Sequence, residues 1–494
     1  MKNQINRLWM IFSSAIIILI SALFLFKNEI IITSLFVLLE FILYIMCFKK
    51  DKKHPKFFWV TTISFSLIFL AINFYNAIAI AAICFLIYFL SKKEIKHFPL
   101  YLLIFSFVIR LVIILFIDVI PISDFETLLS ASQRIINRDY SFNDTSYFYN
   151  WAYQIGFVFI QSLFLRLINS VFFLKVVNSV VTSLICLIIY LICKEFTNKK
   201  CAQTMSSLYS LFLFPLTFTQ VLTNQHLSAL LIYFGIYILI KKHCKLKEYQ
   251  RYIISGILIS LGNVIRPEGI ITVFSILLFI LLTTNKENVK KQFCNLALLV
   301  LSYILVFNVF SFGLKLSGIA ANGLTNNAPQ WKFVLGFNFE TNGTYSDADV
   351  WTIEDKEAGY NLVINRIKDN AIKLPELFIK KSIIFWTNNN LSWGIPTTQN
   401  YNYDNLFSFN NCYSFIISLL AVVGIIDVIK HKKDKNILLI INQVIVTFGV
   451  YLLIEVQSRY VYFIQISIFI LASIGLKVLL KNAKMYLNTL ENKV

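Results

Sequence analysis

Charge is what this 494-residue chain has least of: 14% of its residues are Asp, Glu, Lys or Arg, against 57% hydrophobic. Soluble domains carry about 25% charged residues, so the composition is that of an integral membrane protein, and the mean hydropathy of +0.70 agrees. Histidine is nearly as thin, at five residues. His54, His97, His243 and His431 fall among lysines, leaving His226 alone elsewhere, so no His, Cys and carboxylate cluster has metal-ligand spacing. That argues against a zinc hydrolase and predicts no metal site and no cofactor. The eight cysteines contain no CxxC. Cys47, Cys193, Cys201, Cys244 and Cys294 lie in or beside basic loops, Cys84 and Cys186 in apolar runs, and Cys412 alone approaches the opposite face, which leaves no pair to bridge. There is also no Walker A loop, no GxGxxG and no long soluble segment on the basic side, which argues against ATP-driven transport and against a Rossmann-type nucleotide-sugar enzyme.

The formal charge of +19 is a statement about topology. The lysines gather in short loops at Lys49–Lys56, Lys92–Lys96, Lys194–Lys200, Lys241–Arg251, Lys286–Lys291 and Lys430–Lys435. The positive-inside rule puts such loops on the cytoplasmic face, where they also attract anionic lipid headgroups. The partner implied is the lipid bilayer, and no nucleic acid.

Apolar runs predict helices over 8–26, 30–48, 57–74, 77–91, 99–119, 171–193, 203–221, 224–240, 252–265, 267–282, 293–313, 411–430, 437–455 and 460–480. The first run has no clear small-residue cleavage site and is followed by a second, so it is expected to stay as a span. Residues 151–168 are apolar but begin with Trp151 and Tyr153 and carry Arg166. With the N-terminus cytoplasmic, every lysine loop falls inside only if 151–168 does not cross, which favours a surface or re-entrant helix. The fold class is thus an all-α polytopic membrane protein, a bundle of about 13–14 helices with outer-face loops. Its expected parts are an N-terminal membrane unit 1–91, a membrane core 92–313 with an outer loop 120–150, an extracytoplasmic stretch 314–410, and C-terminal helices with a cytoplasmic tail over 411–494.

Three polar features then share the outer face. The first follows Pro121, where Asp124 stands at the mouth of a membrane helix, with Asp118 and Glu126 as backup acids. A carboxylate there is either a general base for an acceptor hydroxyl or a helix-cap residue, since Ser123-Asp124 can simply begin a helix over 125–138. The second is the turn Asn263–Gly269 between two helices of about four turns each, too short to span without local thinning of the bilayer. Its Arg266 is either a phosphate-binding fork or a snorkelling arginine paired with Glu268. The third is Glu455–Tyr460, where Arg459 either adds a second phosphate contact or pairs with Glu455 at i, i+4. Arg110 is read as a structural counter-ion to Asp118. Trp331, Tyr345, Trp351, Trp386, Trp393 and Tyr401 are more simply membrane-belt aromatics than sugar platforms. Asn143-Asp144-Thr145 and Asn342-Gly343-Thr344 match the glycosylation sequon, a match common by chance.

Four stretches carry a family resemblance: Arg110 to Asp124, Gly262 to Gly269, Gly336-Phe337-Asn338 with Gly343 and Asp347-Ala348-Asp349, and Glu455 to Tyr460. Over roughly residues 99–480 the chain resembles the GT-C superfamily of membrane glycosyltransferases. It is most similar to the bacterial branch related to protein O-mannosyltransferases and aminoarabinose transferases (glycosyltransferase family 39-like). Two departures stand out: four helices precede the catalytic-loop helix, and Phe125 separates Asp124 from Glu126 where those relatives tend to show an adjacent Asp-Glu pair.

The resemblance implies sugar transfer on the outer face from a polyprenyl-phosphate-linked donor, with inversion. Asp124 would be the catalytic base, and Arg266 with Arg459 would bind the departing phosphate. Relatives of the mannosyltransferase type are not expected to need a metal, whereas the oligosaccharyltransferase branch does. The acceptor is left open among an envelope glycopolymer, a glycolipid and a protein. The competing classes are a lipid-linked polysaccharide polymerase or ligase, and a lipid-linked sugar flippase or transporter. A flippase is expected to show internal repeats and a polar path through its helices, neither of which stands out.

Overall fold

Pro99 sits in the first turn of α1 (Phe98–Phe116), where a missing N–H costs nothing. Nineteen residues at 1.5 Å each give a helix of about 28 Å, close to the thickness of the hydrocarbon core. In the computed structural model the described residues are 83, 85–87, 89–387, 391–395, 403–431 and 434–491. The helices expected at 8–26, 30–48 and 57–74, with most of the 1–91 unit and Tyr401, lie outside them.

Past Pro121 the chain turns into α2 (Asp124–Ile136), an amphipathic helix that buries Phe125, Leu128, Leu129, Ala131, Ser132 and Ile135. There follow α3 (Ser146–Asn150), α4 (Ile155–Leu167), α5 (Val171–Phe196), α6 (Lys199–Leu211), α7 (Leu213–Phe218), α8 (Gln225–Ile240), α9 (Glu248–Ile265), α10 (Gly269–Thr283) and α11 (Val289–Leu316). A stretch of shorter elements holds α12 (Gln330–Gly336), α13 (Lys356–Asp369) and α14 (Leu374–Thr387). The chain then re-enters long helix as α15 (Tyr403–His431), α16 (Ile437–Leu453) and α17 (Val461–Glu491).

Among the described residues five segments are long and apolar enough to cross a membrane: α1, α5, α11, Phe409–His431 and Ser458–Lys481. Leu100, Ile104 and Leu115 on α1, and Leu301, Leu305 and Val309 on α11, are exposed, as side chains facing lipid must be. The opposite face of α1 packs on α5, α8 packs between α5 and α9, and α15 pairs with α17. The described residues are helical with no strand among them, and the protein is an all-α polytopic membrane protein.

Its two ends differ in chemistry. At one, the lysine loops interlock: Lys200 Nζ reaches the Lys92 carbonyl at 3.1 Å, Lys242 pairs with Asp434 at 2.7 Å, and Lys291 pairs with Glu248 at 2.6 Å. Because α1 leaves that end and α5 returns to it, everything between them stays at the far end. α4 therefore does not cross; it lies against α2, with Ser132 Oγ donating to Gln161 Oε1 at 2.7 Å.

The sequence-based helix boundaries need three sizeable corrections, one of them at the last helix, expected to end at 480, which runs on to Glu491. The helix expected over 203–221 breaks at Phe212, because the ring of Pro215 cannot pack against the carbonyl four residues back. The helix expected from 411 begins eight residues earlier, at Tyr403.

Two glycines mark close approaches that position the far end. A Cβ on Gly336 would stand 2.5 Å from the Leu453 carbonyl oxygen, so α12 rests directly on the last turn of α16. A Cβ on Gly156 would stand 1.9 Å from the Val264 carbonyl oxygen, in the last turn before Arg266. Gly156→Ala is expected to push α4 off α9 and destabilise the fold by about 1–3 kcal/mol, the usual cost of overpacking. The readout is a lowered thermal midpoint in detergent. An unchanged midpoint would mean that the two helices separate freely.

Candidate active site

Ser123 adopts φ 55° and ψ −129°, a backbone region that favours glycine. Strain of this kind persists where the surroundings enforce it, often at functional sites. Its effect is to start α2 abruptly, with Asp124 as the first helical residue and no side-chain cap from Ser123. The Asp124 carboxylate is half exposed, at 47%, and its Oδ2 stands 3.8 Å from Nη2 of Arg459.

Arg459 is held on every side. Its guanidinium lies over the rings of Trp393 at 4.6 Å, Phe125 at 4.8 Å and Tyr460 at 5.7 Å. Nε donates to Gln457 Oε1 at 2.7 Å, and its carbonyl accepts from Gln225 Nε2 at 3.1 Å. Stacking of this kind suits a planar guanidinium, and Nη2 is the nitrogen turned toward Asp124. The expected i, i+4 pairing with Glu455 does not form, because α16 ends at Leu453 and the intervening backbone is extended.

Glu455 serves instead as an anchor. Its carboxylate accepts from Lys332 Nζ on α12, from Gln457 Nε2 at 2.8 Å and from the Tyr460 hydroxyl at 3.2 Å. Burial raises its pKa, but Lys332 and Gln457 outweigh that and hold it below the usual carboxylate range. Lys332 is the mirror case: burial disfavours its charge, yet Tyr460, Glu455 and Tyr153 keep the ammonium above the usual lysine range. Lys332, Glu455, Gln457 and Arg459 thus form one chain of contacts from the short-helix stretch to the site.

Arg266 also lies against the Tyr460 ring, 5.2 Å from its centroid. Nε pairs with Glu268, and Nη1 donates to Asn224 Oδ1 at 3.0 Å. Asn224 in turn donates to Gln154 Oε1 at 2.9 Å, and Glu268 accepts from the Tyr451 hydroxyl at 3.1 Å. Tyr451 stacks on Tyr460, with ring centroids 4.9 Å apart. The pairing with Glu268 expected from sequence is present, and the same arginine also lines the site.

Asp124, Arg266 and Arg459 therefore converge from three distant parts of the chain. The backup acids do not join them. Asp118 is 80% exposed and pairs with Lys175 at 2.9 Å, while Glu126 is exposed on α2, about 200° around the helix from Asp124. Arg110 is not the counter-ion of Asp118. It is fully buried in α1, donating to the Ser106 carbonyl at 3.0 Å and to Cys186 Sγ at 3.5 Å. Among the described residues no group of three His, Cys, Asp or Glu side chains is placed to hold a metal ion.

Of the aromatics, Trp393 reaches the site, Trp331 and Trp386 are buried, and Trp351 and Tyr345 are exposed. Asn143 is tied down by its own amide, donating to the carbonyls of Tyr140 and Ile319 at 2.8 and 3.2 Å. Sequence reasoning missed Lys332, Asn224, Tyr147 and Tyr153. The last two have phenols pushed above the usual range by burial; the negative charge of Asp124 adds to the effect on Tyr147. A polar trio, Asn224-Gln225-His226, set between apolar helices was the available signal.

Residues 155–312, from α4 through most of α11, match the model of a family described as dolichyl-phosphate-mannose-protein mannosyltransferase. The chain is similar to GT-C membrane glycosyltransferases. The matched stretch includes Asn224 and Arg266, while Asp124 and Arg459 lie outside it. Among solved structures, it is similar to the archaeal oligosaccharyltransferase AglB from Archaeoglobus fulgidus in complex with an inhibitory peptide and a dolichol-phosphate. That likeness has 14% identity and a TM-score of 0.47, over 81% of this chain and 52% of that one. The apo form of the Archaeoglobus fulgidus oligosaccharyltransferase gives 13% identity, a TM-score of 0.47 and the same coverage. The chain spans about half the length of these structures. A comparison with curated proteins gives no match.

Proposed function

We propose that this glycosyltransferase-like protein moves a sugar from a polyprenyl-phosphate donor to an acceptor hydroxyl at the extracytoplasmic face, with inversion. The observation that carries the proposal is the 3.8 Å approach of Asp124 to Arg459, a base and a cation side by side in an accessible site. Asp124 accepts the proton of the acceptor hydroxyl as that oxygen attacks the anomeric carbon. The bond from that carbon to the phosphate oxygen breaks, and its electron pair leaves with the lipid phosphate. Arg459 and Arg266 stabilise the charge that develops there. A single displacement inverts the anomeric centre.

One further observation supports the sidedness. The site lies at the end opposite the interlocked lysine loops, which the positive-inside rule assigns to the cytoplasm. The acceptor is an envelope glycopolymer, a glycolipid or a protein.

The test is transfer from a panel of radiolabelled polyprenyl-phosphate sugars in membranes carrying the protein. Release of lipid monophosphate with one sugar, together with a labelled acceptor of inverted configuration, is the expected result. Turnover only with lipid-pyrophosphate donors would instead favour a polymerase or ligase. Net movement of lipid-linked sugar without bond cleavage would favour a flippase.

A further inference from the structure

The polar face of α2 borders a recess of about 350 Å³ that the proposed transfer step leaves unused. Glu126, Ser130 and Arg134 recur along it every four residues, with Thr127 between them and Asp124. Asp124 does not line the recess, but Thr127 stands three residues from it on the same helix face, and the charge of Asp124 reaches Tyr147 on the recess, so the recess begins beside the candidate base. Phe142, Thr145, Tyr147 and Phe148 complete the lining, with the Phe142 and Phe148 rings meeting edge-on at 5.1 Å. Eight residues of helix from Glu126 to Arg134 give the recess a length of about 12 Å, and its volume falls in the range of ligand sites.

We propose that this recess is the acceptor subsite and that it takes an uncharged, hydroxyl-rich saccharide, the growing end of an envelope glycan; this rests on the glycosyl-transfer reading above. The chemistry of the lining carries the choice. The hydroxyls of Ser130 and Tyr147 both donate and accept, as sugar hydroxyls do, while those of Thr127 and Thr145 donate to the Ser123 and Phe142 carbonyls at 3.3 and 2.7 Å and offer lone pairs. Arg134, the cation along the recess, is already committed to Asp139 at 2.7 Å and to Ser141. Glu126 has no ion-pair partner among the described residues and leaves the recess net negative. A phosphate-rich polymer would meet an unpaired carboxylate and a neutralised arginine, so it is disfavoured, whereas a neutral glycan finds hydrogen-bond partners in Ser130 and Tyr147.

The experiment is saturation-transfer NMR on the full chain in nanodiscs. The probes are neutral trisaccharides (chitotriose and maltotriose), a glycerol-phosphate trimer and a serine-containing peptide. The neutral trisaccharides are expected to bind wild type, and Ser130→Trp, which fills the recess from an exposed helix position, to weaken them at least tenfold at an unchanged thermal midpoint. Thr127→Trp takes its place if Ser130→Trp lowers that midpoint. Trisaccharide binding untouched by either variant overturns the proposal, as does preference for the glycerol-phosphate trimer or the peptide, or no binding of any probe. Binding does not require turnover, so the two proposals fail separately. Saccharide binding without sugar transfer removes the enzyme reading, and transfer insensitive to the filled recess removes the subsite.

Discussion

Asp124→Asn is expected to lower the rate of sugar transfer about 10²–10⁴-fold, the range in which a positioned general base contributes. Asparagine keeps the size and the hydrogen-bonding oxygen of the side chain but cannot take the acceptor proton. The carboxylate is half exposed and its nearest cation is 3.8 Å away, so it holds little of the fold together. With the acid half in solvent and the separation 3.8 Å, the pair contributes about 1 kcal/mol or less. The thermal midpoint should therefore stay close to wild type while turnover collapses. Asp118→Asn is the paired control: that acid is exposed and engaged with Lys175, and the variant should turn over normally. Equal turnover in wild type and Asp124→Asn would remove Asp124 as base.

Much of this was legible in the sequence because a bilayer is a strict solvent. Apolar runs had to be helices, since no other local structure satisfies its backbone in lipid, and the lysine clusters announced which end was which. The polar turns at Asp124, Arg266 and Arg459 stood out for the same reason. What sequence could not supply was pairing. Nothing local says that Glu455 would turn from Arg459, four residues on, to Lys332 on α12. Nor does anything local say that Arg110, so close to Asp118 in sequence, would face the bundle while Lys175 took the acid. The break at Phe212 was within reach, because Pro215 was visible, but the apolar run around it hid the consequence.

Arg459→Met is the second large effect expected, a loss of about 10²–10³-fold in kcat, comparable to removing one preorganised donor from a developing oxyanion. Methionine fills much of the slot between Phe125, Trp393 and Tyr460, so packing is largely kept while the charge goes. Arg459→Lys should recover only part of the loss. An ammonium lacks the planar face that stacks on those rings and the Nε that donates to Gln457. The discriminating readout is the leaving group. If Arg459 stabilises the departing phosphate, donors with a less basic leaving group need it less, and the gap between wild type and Arg459→Met should narrow with them. If the residue only orients Asp124, the gap should stay constant across donors and the pH profile should move instead. A constant gap would assign the phosphate to Arg266 alone. Because Arg266 already spends one nitrogen on Glu268 and another on Asn224, that outcome would require the Glu268 pair to open when donor binds.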